Sequence, residues 1–168
     1  AGSCVYNEWG RAPIQIGRLQ RYATHNALLH DAALLTRTRR ATTGKRIACI
    51  GAGPASLAAA GHLALDGHAV TIFEKRAVAG GLNTTGVAPY KLHANDALRE
   101  VEMILGLGDI ELRTGVEIDD GAARKLLDDY DAVFVGIGLG PDTYLGLEGP
   151  GVVGATAYIE RINLDPAL

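Results

Sequence analysis

The sequence lacks the features that define several common classes of protein. Cysteine occurs only twice in 168 residues, as Cys4 and Cys49, which is too few for a disulfide framework. No apolar run approaches the ~18–20 residues that cross a membrane, and no signal-peptide pattern is present. The net charge of -3 gives no broad basic surface for nucleic acid. We therefore expect a cytoplasmic protein that contacts neither membrane nor nucleic acid.

The signatures of nucleophilic catalysis, P-loops and metal centres are also missing. No G-x-S-x-G sequence occurs, and Gly44–Arg46 lacks the preceding spacing of a P-loop. The acid pairs at 119–120 and 128–129 are interpreted as helix ends and solvated charges. The histidines show no metal-ligand spacing; they are His25, His30, His62, His68 and His93. The sequence thus predicts no catalytic residue.

The most informative stretch, residues 45–76, predicts a strand, a tight turn, a helix and a second strand. The predicted elements are a strand over Ile47–Ile50, a helix over Ala55–Leu65 with Pro54 in its first turn, and a strand over Ala69–Phe73. Short apolar runs are typical of buried parallel strands. Proline is tolerated in a first helical turn, because that N–H has no helical partner.

Small residues at the turn and an acid at the second strand tip indicate a dinucleotide site. Gly51, Gly53 and Ser56 have the spacing of G-x-G-x-x-G, with serine in the third place. Gly51 permits a sharp turn, and Gly53 lets a pyrophosphate approach the backbone at the helix N-terminus. Glu74 can accept hydrogen bonds from a ribose diol and repels a 2′-phosphate. The pattern therefore favours FAD or NAD over NADP.

The remaining elements complete an α/β pattern. Helices are predicted over 18–36, 95–107 and 155–162, with a further short helix ending near Asp129. Strands are predicted over 110–114 and 132–137, a linker over 37–44 and a polar loop over 83–91. Strands that alternate with helices predict a Rossmann-like parallel sheet with flanking helices.

Four stretches together carry a resemblance to a known family. They are Cys4 with Pro13–Gln20; Gly51–Ser56; Glu74–Lys75 through Gly80–Leu82 to Tyr90–Leu92; and Val135–Gly138. The chain resembles the FAD-binding part of the glutamate synthase small subunit and dihydropyrimidine dehydrogenase superfamily of pyridine nucleotide-disulfide-type oxidoreductases. Ser56 and the Gly-Ile-Gly end are most similar to the dihydropyrimidine dehydrogenase branch, notably its bacterial NAD-dependent flavin subunit.

The resemblance implies a role for individual residues in holding FAD. The implied cofactor-binding residues are Gly51, Gly53, Pro54, Ala55, Ser56, Glu74, Lys75, Gly81, Leu82, Lys91, Val116, Gly136 and Gly138. Gly53–Ser56 would line the pyrophosphate, and Glu74 would hold the adenosine ribose. Gly81 and Leu82 would lie near the flavin, Lys91 would be a basic contact, and Val116 would offer its backbone to the adenine. Gly136 and Gly138 would close over the nucleotide.

The resemblance also implies that the chain is a piece of a longer protein. Residues 1–40 would be the C-terminal part of a helical iron–sulfur domain, and residues 41–168 the first part of the FAD domain. Cys4 and Gln20 have the family's spacing for two ligands of a 4Fe-4S cluster, whose other ligands would precede Ala1. The NAD(P)H domain would follow Leu168. The parent would be an oligomer that passes electrons from NAD(P)H through FAD to the iron–sulfur clusters of a catalytic partner subunit or domain.

Two alternatives remain open from the sequence. The first is a truncated nucleotide-fold module that holds no flavin and acts only in partner binding. The second is a plain NAD-dependent Rossmann dehydrogenase, against which the Gly80–Leu82 element and the Cys4/Gln20 segment argue. Disulfide reductase chemistry is excluded, since no C-x4-C pair follows Gly80–Gly81.

Overall fold

The computed structural model describes residues 2–30, 38–140, 142–143 and 146–165. The chain divides into two compact units, Ala1–Thr36 and Arg37–Leu168. The assignment of residues 1–40 to an iron–sulfur domain and of residues 41–168 to an FAD domain stays a prediction. In the part of the chain that the structure describes, no helix is long and apolar enough to cross a membrane.

Residues 2–30, the described part of the first unit, form two helices. Helix α1 covers Val5–Glu8 and helix α2 covers Ile16–His30, and neither contains a buried residue. The irregular structure predicted for residues 1–16 is wrong at α1, where the Cys4 carbonyl accepts the Asn7 N–H at 2.9 Å and starts a helical turn. Helix α2 begins two residues earlier than predicted, and the predicted end at residue 36 lies outside the described residues.

The second unit is built on a four-stranded parallel sheet of order β3-β2-β1-β4. Its strands are β1 (Arg46–Ile50), β2 (Ala69–Glu74), β3 (Ile110–Thr114) and β4 (Ala132–Val135). Its helices are α3 (Pro54–Leu65), α4 (Leu82–Thr85), α5 (Ala94–Leu105), α6 (Asp120–Asp129) and α7 (Ala155–Leu164). The predicted α/β fold with a Rossmann-like parallel sheet and flanking helices is confirmed.

The two faces of the sheet bury different helices, because successive strand side chains point to opposite faces. On one face Cys49 and Ile72 pack with Leu57 of α3 and Val101 of α5. On the other face Ala48 and Phe73 pack with Leu126 of α6. Cys49 is fully buried, and this burial raises the pKa of its thiol to about 11. Its role in the structure is that of a small core residue.

Several predicted boundaries need correction: α5 ends at Leu105 rather than residue 107, and α7 ends at Leu164 rather than residue 162. Strand β4 ends at Val135 rather than residue 137, because its partner β1 has already ended at Ile50, whose carbonyl accepts the Gly136 N–H at 2.9 Å. The polar loop predicted over 83–91 begins with helix α4. The Thr85 N–H donates to the Gly81 carbonyl at 3.0 Å and the Gly86 N–H donates to the Leu82 carbonyl at 2.8 Å, which closes a helical turn.

The predicted linker is anchored to the sheet unit. The Arg40 N–H donates to the Leu65 carbonyl at 2.8 Å, and the Thr43 N–H donates to the Gly67 carbonyl at 2.9 Å. Arg40 also forms a salt bridge with Asp66 at 3.1 Å. This irregular segment is therefore hydrogen-bonded to the C-terminal end of α3 and leads directly into β1.

Candidate dinucleotide-binding site

The turn between β1 and α3 requires glycine at its first position. Gly51 has a φ of +89°, and a Cβ there would lie 2.6 Å from the Gly136 carbonyl oxygen at the end of β4. Its N–H donates to the Phe73 carbonyl on the other neighbouring strand, at 2.7 Å. The turn is thus fixed between the ends of β2 and β4, at the carboxyl edge of the sheet. This edge is where open α/β folds bind their ligands.

The first turn of α3 presents free backbone donors. Helix α3 starts at Pro54 with Gly53 as its N-cap, and no described side chain caps it. The Leu57 N–H makes the first helical bond, to the Gly53 carbonyl at 3.0 Å. Since Pro54 has no N–H, the amides of Ala55 and Ser56 are the donors at the positive end of the helix dipole. Such a terminus suits a phosphate group.

Glu74 ends β2 and is almost completely buried, with 6% of its surface exposed. One carboxylate oxygen accepts the Ala52 N–H of the glycine turn at 2.7 Å, and the other accepts the Arg76 N–H at 2.8 Å. An ionised carboxylate has about four acceptor positions, so two more hydrogen bonds are possible. Glu74 therefore both orders the turn and has acceptor capacity for a ribose diol.

A second glycine turn packs against the first. The Gly80 N–H donates to the Ala52 carbonyl at 2.8 Å. Gly81 has a φ of +56°, and a Cβ there would lie 2.9 Å from the Cα of Gly53. Thr84 is buried, and its hydroxyl donates to the Ala79 carbonyl at 2.9 Å. The backbones of the two turns thus form one continuous cradle, from Gly51 to the start of α4.

Ser56 and Gly136 meet where α3 crosses β4. A Cβ on Gly136 would clash with the Ser56 hydroxyl oxygen. That oxygen is buried and has no hydrogen-bond partner among the described residues. Serine in the third position of the motif is therefore accommodated by glycine on the neighbouring strand. Two of the predicted cofactor-binding residues, Ser56 and Gly136, therefore contact each other, and their roles toward FAD stay predictions.

Other predicted cofactor residues lie around this cradle. Leu82 is 58% exposed at the start of α4. The Val116 N–H is engaged within the fold, because it donates to the Glu74 carbonyl at 2.9 Å. Gly138 has a φ of +75°, with no described atom within 4 Å of a Cβ added there. Their roles toward FAD stay predictions.

The two predicted lysines make local contacts. The Lys75 ammonium lies 3.8 Å from Glu117, and the Lys91 ammonium lies 5.7 Å from the centre of the Tyr90 ring. Both side chains are exposed. A role for either in holding FAD stays a prediction.

The predicted cluster ligands lie in the first unit, with Cys4 at the start of α1 and Gln20 in α2. Hydrogen bonds from the backbones of Ile14 and Tyr6 lower the pKa of the Cys4 thiol. Within the described ranges, no group of three His, Cys, Asp or Glu residues is placed to hold a metal ion. The cluster role of Cys4 and Gln20 stays a prediction.

Sequence reasoning missed the contribution of α7. Asn163 donates to carbonyls at and beyond the end of α4, and Arg76 pairs with Glu160. These partners lie 76 to 84 residues apart in the sequence. No local pattern marks such contacts.

The chain is similar to several oxidoreductases. Residues 49–98 match the NAD(P)-binding Rossmann-like domain family. The NADP-dependent formate dehydrogenase subunit beta of Moorella thermoacetica is 40% identical over 134 residues, which cover 76% of this chain and 19% of that protein. The NADPH glutamate synthase small chain of Escherichia coli K12 is 36% identical over 160 residues, covering 94% of this chain and 33% of that protein.

A solved structure shows the same fold. FprA of Mycobacterium tuberculosis, in complex with NADPH, superposes with a TM-score of 0.60 and 25% identity over 74% of this chain and 30% of that chain. The chain thus spans about a fifth to a third of the length of the relatives named above. It is similar to parts of pyridine-nucleotide oxidoreductases, and its Gly51–Glu74 unit lies inside the region that matches the NAD(P)-binding family.

Proposed function

We propose that this chain is the FAD-binding part of an NAD(P)H oxidoreductase. The cradle of the two glycine turns carries the proposal, because it brings backbone amides, a helix N-terminus and a buried carboxylate together at the carboxyl edge of the sheet. NAD is shorter than FAD beyond the pyrophosphate. The second turn at Gly80–Gly81 packs directly against Ala52 and Gly53, and this additional glycine turn supports the longer dinucleotide.

The residues present fit FAD in both shape and charge. Gly53 has open space where a side chain would stand, since the nearest described heavy atom to a Cβ there is 4.0 Å away. The amides of Ala55 and Ser56 would hold the pyrophosphate, and Glu74 would accept the ribose hydroxyls. When bound, the flavin supplies the hydride and single-electron chemistry. The protein then has only to bind and orient it, which agrees with the absence of a catalytic nucleophile in the sequence.

The partner of the whole protein is part of the same proposal. Relatives that are about three to four times as long as this chain include subunits of glutamate synthase and formate dehydrogenase. We propose that the complete protein takes electrons from NAD(P)H and passes them through FAD to the iron–sulfur clusters of a dihydropyrimidine dehydrogenase-like or glutamate synthase-like partner. Cys4 and Gln20 would then contribute to such a cluster.

The first expected result is flavin retention by the isolated chain. Purified protein is incubated with excess FAD and passed through a gel-filtration column, and its absorption is recorded from 300 to about 600 nm. We expect flavin bands to elute with the protein, and ADP added in excess to displace the flavin, because both ligands share the pyrophosphate cradle.

Two outcomes would count against the proposal. A colourless chain that also fails to bind ADP would support a fold used only for partner binding. A chain that binds NAD but not FAD would support a plain dehydrogenase. The same column run with FMN, which has no adenosine, is the control for non-specific flavin adsorption.

A further inference from the structure

Helix α7 holds the far end of α4 through one side chain. The Asn163 amide nitrogen donates to the Thr84 carbonyl at 3.1 Å and to the Val87 carbonyl at 3.0 Å. The last carbonyls of a helix have no partner within the helix itself. Asn163 supplies that partner from 76 to 79 residues further along the chain.

Helix α4 connects these carbonyls to the cradle. It begins directly after Gly81, whose position against Gly53 leaves no room for a side chain. The Thr85 N–H and the Thr85 hydroxyl both donate to the Gly81 carbonyl at 3.0 Å. The turn is therefore stiff, and a shift of its carbonyl end moves Gly81 as well.

Two other contacts fix α7 itself. Arg76 and Glu160 form a two-point salt bridge, with Nε–Oε1 at 2.7 Å and Nη2–Oε2 at 3.2 Å. At the start of α7, the Asp142 carboxylate accepts the Thr156 N–H at 3.0 Å. Because the Arg76 N–H also donates to Glu74, α7 is anchored at the ribose end of the cradle. Asn163 is its anchor to α4.

Resting on the proposed function, we infer that Asn163 is a positioning residue for the flavin end of the site. Its amide sets the place of α4 and thereby of the Gly80–Leu82 turn, without touching the cofactor. Binding of the flavin portion then depends on Asn163, whereas binding of the adenosine portion near Glu74 depends on it much less. The Asn163 amide thus couples the position of α7 to that of the Gly80–Leu82 turn.

The test compares FAD with ADP in the 168-residue chain carrying Asn163→Asp. The substitution keeps the shape but turns an oxygen toward two carbonyl oxygens, so both hydrogen bonds are lost and replaced by repulsion. We expect the Kd for FAD to rise at least tenfold and the Kd for ADP to change less than about twofold. Flavin fluorescence reports FAD binding, and calorimetry reports ADP binding.

Matched variants separate positioning from folding. Arg161→Ala changes an exposed residue of the same helix and should leave both Kd values as in the wild type. Asn163→Ala removes the donors without adding a charge. If Asn163→Asp does not fold, the change in Kd for FAD relative to that for ADP is measured in Asn163→Ala instead. The inference is overturned if FAD and ADP weaken equally, which means a merely structural role, or if neither weakens. A wild-type chain that binds no FAD overturns the proposed function, and the inference with it.

Discussion

Gly51→Ala is expected to lower the free energy of unfolding by about 3 kcal/mol or more, from a left-handed backbone penalty and an overpacking cost together. The new Cβ would lie 2.6 Å from the Gly136 carbonyl oxygen. That oxygen belongs to backbone fixed by the β1–β4 pairing, so it cannot move cheaply. Urea unfolding followed by circular dichroism measures the change.

Gly115→Ala is the matched control for this variant. Gly115 has a φ of +71°, but no described atom lies within 4 Å of a Cβ added there. Gly115→Ala should therefore lose only the roughly 1–2 kcal/mol of unfolding free energy that the left-handed backbone costs. The excess loss at Gly51 therefore measures the close approach of the glycine turn to β4. Equal losses in the two variants would contradict that close approach.

Gly53→Ala is expected to weaken FAD binding while the fold is retained, in contrast to Gly51→Ala, which destabilises the fold. Gly53 has a φ of −76°, and the nearest described heavy atom to its Cβ would be 4.0 Å away. The methyl group is therefore accommodated, at a stability cost of about 1 kcal/mol or less for an N-cap position. This methyl group would occupy the space through which the pyrophosphate must approach the backbone. We expect the Kd for FAD to rise at least about tenfold, which corresponds to ~1.4 kcal/mol.

Gly106→Ala adds the same methyl group away from the cradle. Gly106 ends α5 with a φ of −77°, and its Cβ would make an ordinary contact at 3.4 Å. This control should bind FAD as the wild type does. If Gly53→Ala retains full affinity for FAD, the pyrophosphate does not lie on this turn, and the proposed site is wrong.

The order of strands and helices around Gly51 could be predicted because each step has a local signal. Apolar runs marked β1 and β2, the spacing of Gly51, Gly53 and Ser56 marked the turn, and Pro54 marked the helix start. The position of Glu74 at the tip of β2 followed from the same pattern. All of these signals lie within one continuous stretch of the chain, residues 45–76.

The parts that could not be predicted depend on distant partners. Nothing in the sequence around Asn163 indicates that its side chain contacts the Thr84 carbonyl, which is 79 residues away in the chain. The buried state of Glu74 was also hidden, because it depends on the amide of Ala52, 22 residues earlier. The loop prediction over 83–91 is wrong at α4 because this helix is only four residues long and contains Asn83 and two threonines, which do not favour helices.

The central claim is that the two glycine turns and the α3 N-terminus hold FAD. An amide-resolved NMR titration of the isotopically labelled chain with FAD tests it most directly. We expect saturable shifts of the Gly53, Ala55, Ser56 and Gly81 amide signals, while the signals of Ala122 and Leu126 in α6 do not shift. Saturable shifts centred on α6, or no saturable shift at the glycine turns, would contradict it.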